Sequence, residues 1–307
     1  MARRRPQGRP VNGILLLDKP VGLTSNAALQ QVKRLFKAAK AGHTGNLDPL
    51  ASGLLPLCFG EATKFSAFLL DSDKHYIGTC KLGVTTTSAD AEGEVLERKP
   101  VGHYGRAEVE TVLAGFVGDI EQIPPMHSAI KVNGQPLYKL AHQGKEIARE
   151  PRRITLYALE LVSLDGDELV LDVRCSKGTY VRTLAEDIGR QLGCGAHLSA
   201  LRRSGAGPFS IEQAVALNEL ERLAESGLAA LDQALLPVEA ALGDWPQLVL
   251  TDNTAYYLRQ GQAVQIPQAP TSGLVRLFVG DQHRFIGVGR VLADGRVAPQ
   301  RLVSHAG

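Results

Sequence analysis

The stretch "GHTGNLDPLASG", residues 42–53, sets one carboxylate, Asp48, into a turn fenced by glycines. Pro49 disfavours the α conformation for the residue before it, so Asp48 is expected to be extended, with its side chain projecting from the turn. Gly42, Gly45 and Gly53 permit tight backbone and the close approach of something bulky. A loop of this kind presents an acid outward, next to His43 and Thr44. The plain alternative is a structural Asx-turn, in which the aspartate bonds its own backbone.

Upstream, "GILLLDKPVGLTSN" (13–26) reads as a short buried strand over residues 14–17 and a turn at Asp18-Lys19-Pro20. Thr24 or Ser25 then caps a helix that carries Ala28, Val32, Leu35 and Phe36 at helical spacing. Downstream, "EATKFSAFLL" (61–70) is also apolar at helical spacing. "HYIGTCKLGV" (75–84) alternates, which predicts a strand with Tyr76, Gly78, Cys80 and Leu82 on one face. An exposed tyrosine beside a glycine suits a flat ligand; ordinary core or edge packing is the alternative. Further on, "ELVLDVRCSKGTYVRTLAEDIGRQLG" (168–193) predicts a strand with Leu169, Leu171, Val173 and Cys175 on one face. After a Ser-Lys-Gly turn, a helix follows with Val181, Leu184, Ile188 and Leu192 facing inward. Arg182 falls in that helix's first turn, where a cation opposes the dipole at a cost of a few tenths of a kcal/mol, so it calls for an anionic partner. A surface pairing with Glu186 at i+4 is the simple candidate.

The chain has 307 residues, 44 % hydrophobic and 21 % charged, as expected of a globular protein with one large domain and one small. It has no run of about 18 apolar residues to span a bilayer. Arg3, Arg4, Arg5 and Arg9 have no adequate apolar segment behind them, so residues 1–10 are expected to be a disordered basic tail and not a secretory signal. Cys58, Cys80, Cys175 and Cys194 contain no C-x-x-C pair, which argues against a zinc site and a disulfide scaffold and for reduced thiols in a cytoplasm.

Net charge is +2, yet residues 131–153 hold Lys131, Lys139, Lys145, Arg149, Arg152 and Arg153 against two glutamates, with Tyr138 and His142 between them. Basic groups interleaved with rings suit looped RNA; a solvated loop of mixed charge is the alternative. Pro237, Gly243, Asp244 and Pro246 interrupt the helical pattern, placing a boundary near Trp245. Beyond it "GLVRLFVG", "HRFIGVGRV" and "GRVAPQRLV" read as strands joined by Gly-Asp and Asp-Gly turns, a small β module.

The ordered string GxTGxLDPxAxG, followed by "LP" and "GEATK", closely resembles the catalytic segment of the bacterial tRNA pseudouridine synthase B family, which modifies the uridine at tRNA position 55. The resemblance extends through "GILLLDKPVGLTSN", "DSDKHYIGTCKLGVTTTSADAEGE", "IPPMHSAIKVNGQPLYKLAHQG", "RCSKGTYVRTLAEDIG" and "GCGAHLSALRRSGAGPFS", in family order from about residue 11 to the C-terminus. It implies an α+β pseudouridine synthase fold: a mixed, mainly antiparallel sheet flanked by helices over residues 11–245. A thumb-like RNA-binding insertion at about 124–152 would close on the RNA, and residues 246–307 would form a PUA-type β domain that grips the acceptor stem.

It also implies the chemistry, a redox-neutral isomerisation of a flipped T-loop uridine that needs no cofactor and no metal. Asp48 is the implied nucleophile, with attack at C1′ of the ribose or at C6 of the ring left open. Arg182 is the implied ion-pair partner that keeps Asp48 charged. By the same resemblance Tyr76 would stack on the base and relay a proton, Tyr180 and Leu201 would line the uracil pocket, and His43 would contact the rearranged loop. Lys19 and Lys64 would support the first segments and face phosphate, or be ordinary surface lysines; the implied role of Asp90 is structural or that of a support to the site residues. Asn46 occupies a variable motif position, and Ala89 stands where an acid is frequent. The implied protein is a cytoplasmic monomer that acts on tRNA with no obligate protein partner and no membrane.

Three rival readings stand beside this one: a tRNA-folding protein without the chemistry, an RNA-guided synthase inside a ribonucleoprotein, and a metal-dependent hydrolase using Asp48 as a ligand. The last needs further ligands, and only His43 is close in sequence.

Overall fold

The computed structural model describes residues 8–304 apart from residues 129, 133 and 142. Arg3, Arg4 and Arg5 of the basic tail, and His142 of the basic segment, therefore lie outside the described residues. Arg9, expected in the tail, is docked instead: its guanidinium pairs with both Asp232 oxygens at 2.6 and 2.7 Å and bonds the Phe36 carbonyl at 2.7 Å.

One sheet organises the body. Its strands in chain order are β1 (Gly13–Lys19), β2 (Ala41–His43), β3 (Ala51–Phe59), β4 (Lys74–Leu82), β5 (Gly118–Gln122), β6 (Arg152–Asp165), β7 (Glu168–Cys175), β8 (Ala196–Ala206), β9 (Phe209–Ser210) and β10 (Val215–Ala216). Across the sheet they run β10-β1-β3-β8-β4-β7-β6-β5, with β2 beside β3 and β9 beside β8. Only β1/β10 and β3/β8 are parallel, so the sheet is mixed and mainly antiparallel. The alternation expected of β4 is present: Tyr76, Gly78, Cys80 and Leu82 are all on its buried face. They meet Leu169, Leu171, Val173 and Cys175 of β7 in one core with Val181, Leu184 and Ile188 of the helix Val181–Gln191.

Thr24, and not Ser25, caps the first helix, Ser25–Leu35, by accepting from the Ala27 N–H at 3.1 Å. The single helix suggested by "EATKFSAFLL" is broken into a 3-10 turn, Gly60–Lys64, and a short helix, Ser66–Leu70. The buried ammonium of Lys74 ends that helix by donating to the carbonyls of Leu69, Leu70 and Ser72. Within the basic insertion lie a two-residue hairpin, Lys131–Val132 against Gln135–Pro136, and the helix Leu137–Ala141. Lys131, Lys139 and Lys145 there are exposed, while Arg152 and Arg153 belong to β6.

After Trp245 comes a four-stranded sheet, Gln247–Leu250, Gly273–Val279, Arg284–Val291 and Val297–Leu302, with the helix Asp252–Arg259 and a core of its own. It packs on the body through a second apolar cluster, in which Phe68 meets Trp245 edge-on at 5.0 Å between ring centroids and Phe65 meets Phe285 at 5.5 Å. All four cysteines are buried and unbridged. Among the described residues no helix is long and apolar enough to cross a membrane.

Candidate active site

The segment with Asp48 leaves β2 at His43 and re-enters the sheet as β3 at Ala51. Asp48 and Pro49 occupy the first two positions of a β-turn closed by the Ala51 N–H donating to the Asp48 carbonyl at 3.0 Å. The glycine fence has a physical reason at two points. Gly53, at φ +102°, passes β8 so closely that a Cβ would stand 2.3 Å from the Arg203 carbonyl oxygen, and Gly45 has φ +121°. The residue before the aspartate is pinned twice, since the Ser25 hydroxyl accepts from the Leu47 N–H at 2.7 Å and donates to the Leu47 carbonyl at 3.0 Å. Thr44 is fully buried, with its N–H donating to the Pro56 carbonyl at 3.1 Å.

With its backbone fixed, the Asp48 carboxylate turns to Arg182, whose Nη2 lies 3.1 Å from Oδ2. The Asp48 side chain stays 44 % exposed while that of Arg182 is 7 % exposed, so a covered cation sits behind an accessible acid. Arg182 is shared: Nη1 reaches Asp90 at 3.3 Å and donates to the Ser88 carbonyl at 3.2 Å, and Nη2 donates to the His127 carbonyl at 2.7 Å. Asp90 is buried and held in turn by the Ser88 hydroxyl and the Glu92 N–H. The awkward cation of the helix's first turn is thus matched by two aspartates, and not by Glu186.

Arg182 does lower Asp48, as expected of its partner, but it does not set the net direction. Burial pushes the Asp48 carboxyl above its ordinary value, and Asp90 adds to that push; Arg182 first, then Lys19 and His127, pull it back. The guanidinium limits a rise and does not produce a net drop.

The remaining predicted residues fall into two groups. Asp90 pairs with Arg182, Tyr76 and Tyr180 lie within reach of the Asp48 charge, Leu201 is paired with Ala51 across β3/β8, and His43 ends β2 five residues before Asp48. Tyr76 stands across β4/β8 from Arg203 and is 9 % exposed, so the exposed ring anticipated from the sequence is mostly covered. Gly78 beside it leaves no open gap for a flat ligand: a Cβ there would meet Leu198, Val181 and Leu201 at 3.4, 3.5 and 3.7 Å. Tyr180 precedes the helix Val181–Gln191, its N–H and carbonyl clamped by the buried Gln122 side chain at 2.8 and 3.0 Å. Burial raises both phenols, and it lowers His43, whose imidazole is further depressed by the charge of Arg203.

Lys19 and Lys64 behave otherwise. Lys19 has no exposed surface; its ammonium bonds the Pro20 and Leu23 carbonyls at 2.8 and 2.7 Å, and burial pushes it down to about 8. It offers Asp48 a nearby charge and no phosphate a contact. Lys64 lies away from the site, donating to Glu61 at 2.8 Å, the Ser304 hydroxyl at 2.7 Å and the Leu302 carbonyl at 3.2 Å, so it ties the body to the last strand. Sequence reasoning missed Ser25, Gln122, His127 and Arg203; "LRRSG" (201–205) carried the only visible signal, a basic pair on a central strand. Among the described residues no group of three His, Cys, Asp or Glu could hold a metal ion.

A family model for the TruB family pseudouridylate synthase N-terminal domain matches residues 33–181, one for the tRNA pseudouridylate synthase B C-terminal domain matches 182–243, and one for the pseudouridine synthase II TruB C-terminal region matches 246–303. The tRNA pseudouridine synthase B of Stutzerimonas stutzeri is 58 % identical over 304 residues, 99 % of either chain. That of Nitrosococcus oceani is 57 % identical over 301 residues, covering 98 % of this chain and 97 % of the other. Among solved structures, a chain of a Cbf5-Nop10-Gar1 complex superposes with a TM-score of 0.73 at 26 % identity, over 95 % of this chain and 84 % of that one. The protein therefore belongs to the TruB family of pseudouridylate synthases.

Proposed function

We propose that this protein isomerises the uridine at position 55 in the T loop of tRNA to pseudouridine, with Asp48 as the nucleophile. The glycosidic C–N bond breaks, the detached uracil turns, a C–C bond forms to its C5, and the C5 hydrogen leaves as a proton; no electrons are exchanged with a cofactor. The carrying observation is the accessible Asp48 carboxylate backed by the covered Arg182 guanidinium at 3.1 Å. An acid so placed can meet a nucleotide from the open side while its charge is balanced from within.

The base must leave its stack to reach that acid, at a cost of about a few kcal/mol. Tyr76, Tyr180 and Leu201 are assigned to the uracil pocket and His43, kept neutral by burial, to the reshaped loop. The exposed Lys131, Lys139 and Lys145 support assigning residues 124–152 to a thumb that closes on the RNA backbone. The β module from residue 246 is assigned, as a PUA-type domain, to the acceptor stem. The protein acts as a cytoplasmic monomer with no obligate protein partner.

Release of the C5 hydrogen from labelled uridine in an unmodified tRNA transcript tests reaction and site together. The expected result is stoichiometric release from that transcript and none from one in which position 55 is changed. Asp48→Asn is expected to bind the transcript and release nothing; turnover by this variant overturns the assignment, and activity on bare transcript separates it from an RNA-guided enzyme.

A further inference from the structure

Arg203 occupies β8 at the centre of the sheet, across from Tyr76 of β4 on one side and Gly53 of β3 on the other. It is 1 % exposed. Its partners are main-chain carbonyls and not carboxylates: Nε donates to Leu54 at 2.7 Å and Nη1 to Asn46 at 3.4 Å. Nη2 is sealed from solvent and has no hydrogen-bond acceptor among the described residues. A buried guanidinium held this way is costly, and an apolar side chain of similar volume would fill the same space without the penalty. The cost calls for a role other than filling space.

The surroundings indicate the role. Asn46 stands two residues before Asp48, and a Cβ on Gly45 would approach Nη1 to 3.5 Å, so the guanidinium plugs the underside of the catalytic turn. On its other flank it is the cross-strand neighbour of Tyr76, where its charge opposes the effect of burial on the phenol. One side chain thereby links the segment bearing the acid to the strand bearing the ring.

We propose that Arg203 is a positioning residue for the isomerisation: by holding the carbonyls of Asn46 and Leu54 and flanking Tyr76, it fixes the distance between the Asp48 turn and the ring that supports the base. This rests on the reading of Asp48 and Tyr76 as the residues flanking the target uracil.

The test compares Arg203→Lys, which keeps the charge but cannot span both carbonyls, with Arg203→Met, which keeps the volume without the charge. Saturating single-turnover rate, tRNA dissociation constant and melting temperature are measured for each, alone and combined with Tyr76→Phe. Expected are a rate loss of about tenfold or more with tRNA affinity held within about twofold, and a loss of under about threefold once Tyr76 is already Phe. A wild-type rate in either variant, a defect confined to tRNA affinity, full additivity with Tyr76→Phe, or two variants that both fail to fold would overturn the proposal. If the unaltered protein leaves position 55 unmodified, or Asp48→Asn turns over, the functional reading fails; normal chemistry with an indifferent Arg203 sinks this inference alone.

Discussion

Arg182 stands 3.1 Å from Asp48 and 3.3 Å from Asp90, one buried guanidinium dividing its charge between an accessible carboxylate and a covered one. Arg182 and Asp90 act on the Asp48 carboxyl in opposite directions. Arg182 pulls the Asp48 carboxyl down, whereas Asp90, by like charge, pushes it up while also anchoring the guanidinium.

Substitution on the two sides of Arg182 should therefore move the acid limb of the pH–rate profile in opposite directions. Arg182→Met removes the largest downward pull on Asp48, so its limb is expected at higher pH, with the plateau rate reduced by about 100-fold or more. It also leaves Asp90 buried without its cation, costing about 3 kcal/mol or more in urea unfolding. Asp90→Asn removes an upward push, so its limb is expected at lower pH, with a smaller rate loss because Arg182 keeps the Ser88 and His127 carbonyls. Limbs that moved together would contradict the geometry.

Asp48 should be a site where function opposes stability. Its folded pKa lies above the ordinary carboxylate value of 3.8, so the unfolded chain gives up this proton more readily and ionisation favours unfolding. At a pH above the folded value the full penalty applies; as pH falls through that value towards 3.8 the penalty disappears. Asp48→Asn is expected to melt at or above the temperature of the unaltered protein at pH 7 to 8, and to lose that advantage in acid. Differential scanning calorimetry across pH checks it; a variant less stable at pH 8 and recovering in acid would reverse the sign.

Local pattern carried the fold a long way, and chemistry less far. The two-residue alternation of β4 and β7 and the helical spacing after Tyr180 gave the correct buried faces, because each follows from neighbours a few positions away. Pattern alone could not say what covers a face: Tyr76 looked exposed beside a glycine until Val181, Leu198 and Leu201 filled the space. The pairing of Asp48 with Arg182 was legible from the family motif and from a cation misplaced in a helix. The clamps that hold them were not, since Ser25 to Leu47 spans 22 residues, Gln122 to Tyr180 spans 58 and Arg203 to Asn46 spans 157. Nothing in the local sequence marks a hydroxyl or an amide for a partner that distant.

Ser25 offers a direct test of such a clamp. Its hydroxyl satisfies both the N–H and the carbonyl of Leu47 in a site 3 % exposed, so Ser25→Ala leaves two main-chain groups to find other partners. Stability is expected to fall by about 1–3 kcal/mol in denaturant titration. The turnover rate should fall as well, because the residue before Asp48 loses its fixed height, while tRNA affinity stays within about twofold. A variant with normal rate and reduced stability would confine Ser25 to the fold.

Lys19 should give the protein a stability that rises with alkali. Burial lowers its ammonium from 10.5 to about 8, so between these values the unfolded chain binds more proton than the folded one. By linkage, stability increases with pH across that window, and below about 8 the full penalty of the buried charge is in force. The shift corresponds to roughly 3 kcal/mol for this unexposed group. Lys74, also lowered to about 8 by burial, adds a slope of the same sign, so the measurement is the difference between the unaltered protein and Lys19→Met. Urea titrations from pH 7 to 10.5 are expected to show a shallower rise in the variant, even if its absolute stability is lower because the Pro20 and Leu23 carbonyls lose their donor. Lys19→Met also removes a cation that pulls Asp48 down, so the acid limb of its rate profile should shift to higher pH. Parallel stability curves would mean that Lys19 carries an ordinary ammonium.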